Sequence, residues 1–161
     1  MKKISALIHT TDRDVQHLSR ALESLRCCDE IMVVDHCSHP GTREATRKVA
    51  YEYGANFKES IVALNDGAYA FDCHNDWVFC LLPAETISEA LEAAVLEWKH
   101  SEAKPAPGYT VSVREQIQEE WRELGREMRL VNRKYINWTG RIPATASDSQ
   151  EISGDLLRFS E

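Results

Sequence analysis

The first fifty residues alternate between short apolar runs and an amphipathic helix pattern, and this alternation constrains the fold more than any other feature of the sequence. Residues 4–8 form an apolar run typical of a buried strand, and residues 31–34 form a second. Between them Leu18, Leu22 and Leu25 recur at helical spacing. A strand, helix, strand, helix order predicts an α/β fold with a parallel sheet and right-handed crossovers.

The same patterns continue to residue 103. Pro40 is typical of a first helical position, and Gly54 of a helix end, so they bound a second helix. Four further elements are predicted: a short strand within 55–62, a helix within 66–73, a buried strand over 77–82, and a helix that begins with a capping box of Thr86 and Glu89.

A change of pattern follows the linker at residues 104–108, which reads KPAPG. Residues 109–113 alternate between apolar and polar side chains, which is the period of a half-exposed strand. Residues 129–133 and 135–142 are also predicted as strands, whereas the charged stretch 115–127 is interpreted as a solvated surface helix. The C-terminal part therefore adds antiparallel strands to a mostly parallel sheet.

Length, charge and cysteine usage narrow the functional class. A chain of 161 residues suits one domain with one core. The net charge of -7 and the lack of a long basic cluster argue against nucleic-acid binding. No apolar run is long enough to cross a bilayer, and the N-terminus lacks the features of a signal peptide. The five cysteines show no C-x-x-C pair and favour reduced thiols in a cytoplasmic protein.

Polar residues follow the predicted strands at three places: 9–12, 35–39 and 82–85. Ligands of open α/β sheets bind at the carboxyl ends of the strands, so these segments are expected to converge on a site. Asp35 and Ser38 can accept or donate hydrogen bonds to a ribose or base, and they can equally well cap the second helix. Both interpretations stay open on local sequence.

Other chemistries receive little support. Asp35, His36, Cys37 and His39, with residues 72–74, offer zinc-ligand types, but their spacing matches no common zinc pattern. Cys80 is expected to be buried and inert, and Cys37 has no marked base partner. The sequence contains neither a Gly-x-Ser-x-Gly nucleophile elbow nor a glycine-rich phosphate loop.

Seven short segments carry a likeness to one known family through their order and spacing. They are ISALIHT (4–10), LESL (22–25), DEIMVVD (29–35), GT (41–42), WVFCL (77–81), RLV (129–131) and WTGRI (138–142). Together they resemble family 2 glycosyltransferases of the GT-A fold, in particular the bacterial lipopolysaccharide-core type. The resemblance covers most of the chain.

This resemblance implies a Rossmann-like α/β/α sandwich. It divides a single domain, 1–161, into a nucleotide-binding half (1–103) and shortened acceptor-side strands (104–161). Thr10 and Asp35 match nucleotide-contacting positions of the family, and Asp12 and Ser38 lie beside them at the same strand ends. The implied ligand is a UDP-sugar or another nucleotide.

The chain departs from the family at the positions that carry the chemistry. In the family, the strand at 77–81 runs into Asp-x-Asp, which helps to hold magnesium or manganese on the donor diphosphate. Leu82 and Ala84 occupy these two Asp positions here, and Pro143 and Ala144 occupy the positions of a later His-Glu. The resemblance therefore implies no metal cofactor and a degenerate catalytic site.

Glu85 is the one carboxylate left beside the former Asp-x-Asp. It matches an acidic residue of the family and is a candidate for catalysis or for a residual magnesium or manganese site. The preferred interpretation places it in the first turn of a helix, where the helix dipole favours a negative charge.

Three hypotheses follow. The first is a glycosyltransferase-like domain that has lost transfer activity and still binds a nucleotide or nucleotide-sugar. The second is an active inverting glycosyltransferase with an atypical or metal-independent site built from Glu85, Asp35 and either Arg129 or Arg141. The third is a structural or protein-binding module without a small ligand, which would use helix 87–98 or the acidic stretch.

Overall fold

The computed structural model describes residues 1–60, 67–138 and 140–159. Strands and helices alternate in its first half, which confirms the predicted strand, helix, strand, helix order. The elements of this half are β1 (Ile4–Thr10), α1 (Val15–Glu23), β2 (Glu30–Asp35), α2 (Pro40–Glu52), β3 (Asn56–Glu59), a 3₁₀ helix (Gly67–Asp72) and β4 (Trp77–Cys80).

The second half contains one helix and four strands within the described residues. These are β5 (Glu85–Ile87), α3 (Glu89–His100), β6 (Gly108–Ile117), β7 (Glu120–Asn132) and β8 (Gln150–Phe159). In the part of the chain that the structure describes, no helix is long and apolar enough to cross a membrane.

All the described strands join one eight-stranded sheet in the order β3-β2-β1-β4-β7-β6-β8-β5. The first four strands are parallel to one another. Strand β7 is antiparallel to β4 and β6, while β8 is parallel to β6 and antiparallel to β5. The predicted fold class, α/β with a mostly parallel sheet and antiparallel C-terminal strands, is confirmed. The division at residues 103 and 104 stays a prediction.

Register places the expected site residues at one edge of the sheet. Thr10, at the end of β1, lies opposite Asp35, at the end of β2. On the other side of β1, Leu7 lies opposite Cys80, and the Leu81 amide donates to the Leu7 carbonyl (3.2 Å). The carboxyl ends of β1, β2 and β4 therefore meet at the same edge, as parallel strands require.

Apolar side chains cover both faces of the sheet, because successive residues of a strand point to opposite faces. The larger core packs alternate residues of β1 against helices α1 and α3, and its members include Ile4, Ala6, Ile8, Leu18, Leu22, Leu91 and Val95. The smaller core lies on the second face and includes Leu7, Val34, Val78, Met128 and Ala70 of the 3₁₀ helix. Each fully buried aliphatic side chain stabilises the fold by about 1.5–3 kcal/mol.

The helix boundaries confirm one local prediction and correct another. Helix α2 begins at Pro40, where the His39 ring accepts from the amide of Gly41 (3.2 Å). The predicted cap of α3 by Thr86 is wrong. Thr86 lies in β5 opposite Leu157, and Ser88 caps the helix by accepting from the Leu91 amide (3.2 Å). Pairing of β5 with a distant strand overrides the local capping signal.

The predicted surface helix over 115–127 is also wrong, because this stretch forms the end of β6, the turn and the first part of β7. Gln118 and Glu119 turn the chain with positive φ angles of 50° and 73°, the geometry of a two-residue hairpin loop. Arg114 lies opposite Glu123. The alternating charges therefore face each other across strands, where opposite charges stabilise a pair, rather than along a helix.

Three other predicted elements are either wrong or only partly present in the described residues. The predicted strand over 135–142 is wrong, since the described residues 135–138 and 140–142 lie in loops and turns. Strand β3 ends at Glu59, and the predicted continuation at 61–62 lies outside the described residues. The predicted helix within 66–73 is a 3₁₀ helix over the described residues Gly67–Asp72.

Candidate functional site

Thr10 and Asp35 are bound to each other at the ends of β1 and β2. The Thr10 hydroxyl donates to Asp35 Oδ1 (2.9 Å), and both residues are fully buried. Arg43 of α2 donates through Nε to Asp35 Oδ2 (3.1 Å) and also binds the carbonyl of Cys37. The Asp35 carboxylate is thus charge-compensated inside the protein, as a buried charge needs to be.

Asp12 and Ser38 form a second pair just outside the first. Ser38 donates to Asp12 Oδ2 through its hydroxyl (2.7 Å) and its amide (3.1 Å), and the His39 amide donates to Oδ1 (3.1 Å). These hydrogen bonds to the charged form, the Ser38 hydroxyl first, lower the pKa of Asp12 to about 2. The structure therefore brings all four residues predicted to bind a nucleotide to one edge, as one pair between the strand ends and one pair between the loops that follow them.

The segment FCLLPAET forms the end of β4, a turn and the start of β5. Leu82 and Ala84 are half-buried in that turn, and Pro83 is buried. The Leu82 amide donates to Glu85 Oε1 (2.9 Å). Glu85 is the first residue of β5, while α3 begins only at Glu89, so the interpretation of Glu85 as a helix first-turn residue is wrong.

Glu85 lies at the centre of a cluster of four charged side chains, of which Glu85 and Arg129 are fully buried. Arg129 binds it with two hydrogen bonds, Nη1 to Oε1 (2.6 Å) and Nη2 to Oε2 (2.7 Å). Arg158 adds two more to Oε2, from Nε (3.1 Å) and Nη2 (2.9 Å). Glu127 accepts from both arginines, at 3.2 Å and 3.3 Å. We call Glu85, Glu127, Arg129 and Arg158 the Glu85 cluster.

Charge compensation outweighs burial in this cluster. Burial raises the pKa of Glu85, but the hydrogen bonds and charge of Arg129 lower it by more than burial raises it. The resulting pKa lies below its usual range. Burial likewise lowers the pKa of Arg129, and Glu85 more than restores it. Both oxygens of Glu85 are therefore held as acceptors by guanidinium groups.

A cleft of about 550 Å³ opens between the β1–α1 loop and the β4–β5 turn. Its walls are residues 12–17, Ala84, Arg158 and Phe159. The Phe159 ring packs under the guanidinium of Arg20 (3.8 Å to the centroid), and its amide donates to the Ala84 carbonyl (2.9 Å). The end of β8 thereby forms one wall of the cleft.

Comparison with known proteins identifies the fold. No family model and no curated protein sequence matches the chain. Mannosyl-3-phosphoglycerate synthase from Rubrobacter xylanophilus shares the structure with a TM-score of 0.52 and 16% identity, over 71% of this chain and 41% of that one. The fold is a GT-A fold.

Two other solved structures are similar. S. aureus TarS 1–349 gives a TM-score of 0.47 and 21% identity over 70% of this chain and 36% of that one. A mycobacterial protein gives 0.48 and 14% over 71% and 42%. The chain spans less than half of the length of these three structures. Identities this low show the fold alone.

Where the family resemblance implies a metal ion, the side chains of this chain do not suit magnesium or manganese. Leu82 and Ala84 have no oxygen in their side chains, and Glu85 is fully bound by arginines. Within the described residues no group of three His, Cys, Asp or Glu side chains could hold a metal ion. The residues considered for zinc, 35–39 and 72–74, therefore form no such group. Pro143 is buried and Ala144 is exposed, and neither carries a ligating group.

The cysteines and histidines near the edge have structural surroundings. Burial raises the pKa of the Cys37 and Cys80 thiols to about 12, so neither is poised as a nucleophile. His9 and His36 hydrogen-bond to each other (2.9 Å) and pack against the ring of Tyr69. They link β1 and β2 on the sheet face opposite Thr10 and Asp35.

Sequence reasoning missed two of the arginines that define this edge. Arg43 could have been found by searching the start of α2 for a cation that compensates Asp35. Arg158 left no such signal, because it lies 73 residues from Glu85 in the sequence and meets it only through the pairing of β5 with β8. Arg129 enters the sequence-based hypotheses only as an alternative to Arg141.

Proposed function

We propose that this GT-A domain binds a nucleoside diphosphate or nucleotide-sugar without a divalent cation and does not transfer the sugar. The observation that supports it is the Glu85 cluster. Glu85, the carboxylate beside the positions where the resemblance implies Asp-x-Asp, is fully buried and bound by Arg129 and Arg158. Two internal cations thus bind the carboxylate beside the turn at which the GT-A resemblance implies a magnesium or manganese ion.

The proposal of lost transfer follows from the chemistry that inverting transfer requires. A general base must accept the proton of the acceptor hydroxyl, and it needs a free lone pair within hydrogen-bond reach. The oxygens of the Glu85 and Asp35 carboxylates accept hydrogen bonds from arginine or threonine side chains inside the protein. Asp12 is bound by Ser38 and His39. The buried Glu85 and Asp35 therefore have poor access to an acceptor, and the pKa of about 2 makes the exposed Asp12 a weak base.

The sequence motifs support a finer assignment within this proposal. The order of the segments from ISALIHT to WTGRI favours family 2 glycosyltransferases and, among them, the bacterial lipopolysaccharide-core type. A UDP-sugar is the proposed ligand class. A cytoplasmic location is also proposed, and five free cysteines support it because thiols stay reduced there.

Calorimetric titration of UDP into the purified protein, with manganese and with EDTA, tests the proposal. Equal binding in both buffers is expected, together with no release of UDP when UDP-sugars are supplied with saccharide acceptors. The matched variant Leu82→Asp/Ala84→Asp restores the two carboxylates of the family, and a gain of manganese-dependent binding or transfer by it would support lost chemistry. Manganese-dependent binding or sugar transfer by the unmodified protein would overturn the proposal.

A second candidate function is a protein-binding module without a small ligand. The observation that favours it is that Thr10, Asp12, Asp35 and Ser38 satisfy each other within the protein. Failure of UDP, ADP and GDP to bind in either buffer would favour this candidate over the first.

A further inference from the structure

Two arginines with unused donor groups face the cleft between the β1–α1 loop and the β4–β5 turn. The hydrogen bonds of Arg158 come from Nε and Nη2, so within the described residues Nη1 keeps both of its N–H groups free. The Arg158 side chain is 23% exposed. Arg13 is exposed at the same cleft, and no described residue forms an ion pair with it.

The carboxylates near the cleft are directed to other donors. Glu85 already receives two short hydrogen bonds from Arg129. Asp12 accepts from the loop after β2, and Asp14 accepts from the amide (2.7 Å) and hydroxyl (2.9 Å) of Thr11. These carboxylates reduce the positive potential of the cleft without occupying Arg13 or the outer side of Arg158.

The first turn of α1 adds a weaker contribution to the same cleft. Residues 15–17 line it, the first turn contains no acidic residue, and Asp14 makes no side-chain cap. The positive end of the helix dipole therefore favours an anion there, in addition to the two guanidinium groups.

We propose that Arg158 and Arg13 bind the diphosphate of the ligand and so take the place of the divalent cation. This inference rests on the proposed nucleotide binding. Arg13 offers a guanidinium charge and planar pairs of N–H donors that match phosphate oxygens, and Arg158 offers the two N–H groups of Nη1. The Glu85 cluster fixes Arg158 in position, while Arg13 lies on the opposite wall of the cleft.

The test is calorimetric titration of pyrophosphate, UDP, UMP and uridine in EDTA. We expect UDP to bind at least about tenfold more tightly than UMP, since charge-assisted hydrogen bonds to the second phosphate are lost in UMP. Pyrophosphate alone is expected to bind and to compete with UDP. Binding of all phosphate ligands should weaken as salt is raised.

Three variants assign the effect to the two arginines. Arg158→Gln and Arg13→Gln should each weaken UDP and pyrophosphate about tenfold or more and leave uridine unchanged. Arg122→Gln, an exposed arginine of β7 outside the cleft, should leave all four ligands unchanged. Arg158→Lys keeps the charge on the Glu85 cluster if Arg158→Gln fails to fold, and it should weaken the same two ligands by a smaller factor.

The outcomes separate this inference from the proposed function. Equal affinity for UDP, UMP and uridine would overturn the role of the arginines and leave nucleotide binding intact, as would wild-type affinity of Arg13→Gln and the Arg158 variants. Pyrophosphate binding as tight as UDP binding, lost in the same variants, would support the anion site and overturn nucleotide recognition. Absence of binding by every probe would overturn both.

Discussion

The ends of β1 and β2 and the turn between β4 and β5 lie at the same edge of the sheet, and they obtain their polar contacts differently. At the first place, Thr10 and Asp35 are neighbours in register and bind each other directly. At the second place, Leu82 and Ala84 contribute no polar side chain, and Glu85 finds its partners on distant strands.

This difference shows two ways in which one edge of a sheet is held in place. The β1–β2 side is held by neighbouring strand ends and by Arg43 of the following helix. The β4–β5 side is held by Arg129 of β7 and Arg158 of β8, which approach from the antiparallel part of the sheet. Substitutions on one side should therefore leave the contacts of the other side in place, and a variant that disturbs both sides equally would contradict this difference.

The largest effect is expected for Glu85→Ala, which leaves the fully buried guanidinium of Arg129 without its main partner. Loss of one member of a buried ion pair costs about 3–5 kcal/mol of the free energy of unfolding. Urea denaturation measures it. Glu127→Ala is the matched control, because Glu127 binds the same two arginines but is 31% exposed, and we expect about 1 kcal/mol or less. A loss below about 1 kcal/mol for Glu85→Ala would contradict the central role of the pair.

A large effect is also expected for Gly154→Ala in β8. Gly154 has a φ of +100°, and an added Cβ would lie 2.4 Å from the backbone of Leu91 in α3. Backbone strain and overpacking together should cost about 3 kcal/mol. Gly125→Ala shares the positive φ (+103°) but meets no atom within 4 Å, so only the strain of about 1–2 kcal/mol is expected.

The Gly154→Ala variant also tests whether the β4–β5 side and the β1–β2 side are held independently. Displacement of β8 should separate Arg158 from Glu85 while the Thr10–Asp35 contact stays in place. Amide hydrogen exchange can follow both places in the Gly154→Ala protein. Faster exchange at Thr10 and Asp35 than at Glu85 would show that β8 does not support the β4–β5 side specifically.

A smaller effect is expected for Thr10→Val on the β1–β2 side. The change removes the buried hydrogen bond to Asp35, which keeps Arg43 as a partner, so the loss should be about 1–2 kcal/mol in the free energy of unfolding. Thr11→Val is the control, since its hydroxyl binds Asp14 in a half-exposed loop, and about 0.5 kcal/mol is expected there. Equal losses for the two variants would remove the special position of the Thr10–Asp35 pair.

The smallest effect concerns the pH dependence of the exposed Asp12–Ser38 link. The folded pKa of Asp12 is lowered to about 2 from 3.8, so its contribution to stability is present above pH 4 and is lost as the pH falls towards 2. Asp12→Asn should therefore reduce the difference in stability between pH 5 and pH 2. An unchanged pH profile in urea denaturation would show that the link is absent in solution.

Local periodicity explains what the sequence predicted well. Strands β1, β2 and β4 and helices α1, α2 and α3 were predicted from runs and repeats within single elements, because one buried face imposes a period that is visible locally. Pro40 marked a helix start for the same local reason. The GT-A fold followed from the order of these segments.

Predictions failed where a distant strand decides the local state. The charges of 115–127 suit a solvated helix, and only their pairing across the Gln118–Glu119 turn makes them a hairpin. Thr86 has the sequence of a helix cap but pairs with β8. Strand β8 was not predicted, because only two of its ten residues are buried and no clear apolar alternation marks it.

The sequence by itself determined that Leu82 and Ala84 cannot ligate a metal ion and that Thr10, Asp12, Asp35 and Ser38 follow the first two strands. Only the tertiary structure decided what these residues contact. A buried carboxylate must be compensated by the cations that lie near it in space. For Glu85 these come from Arg129 and Arg158, which are 44 and 73 residues away and reach it through the order of strands in the sheet.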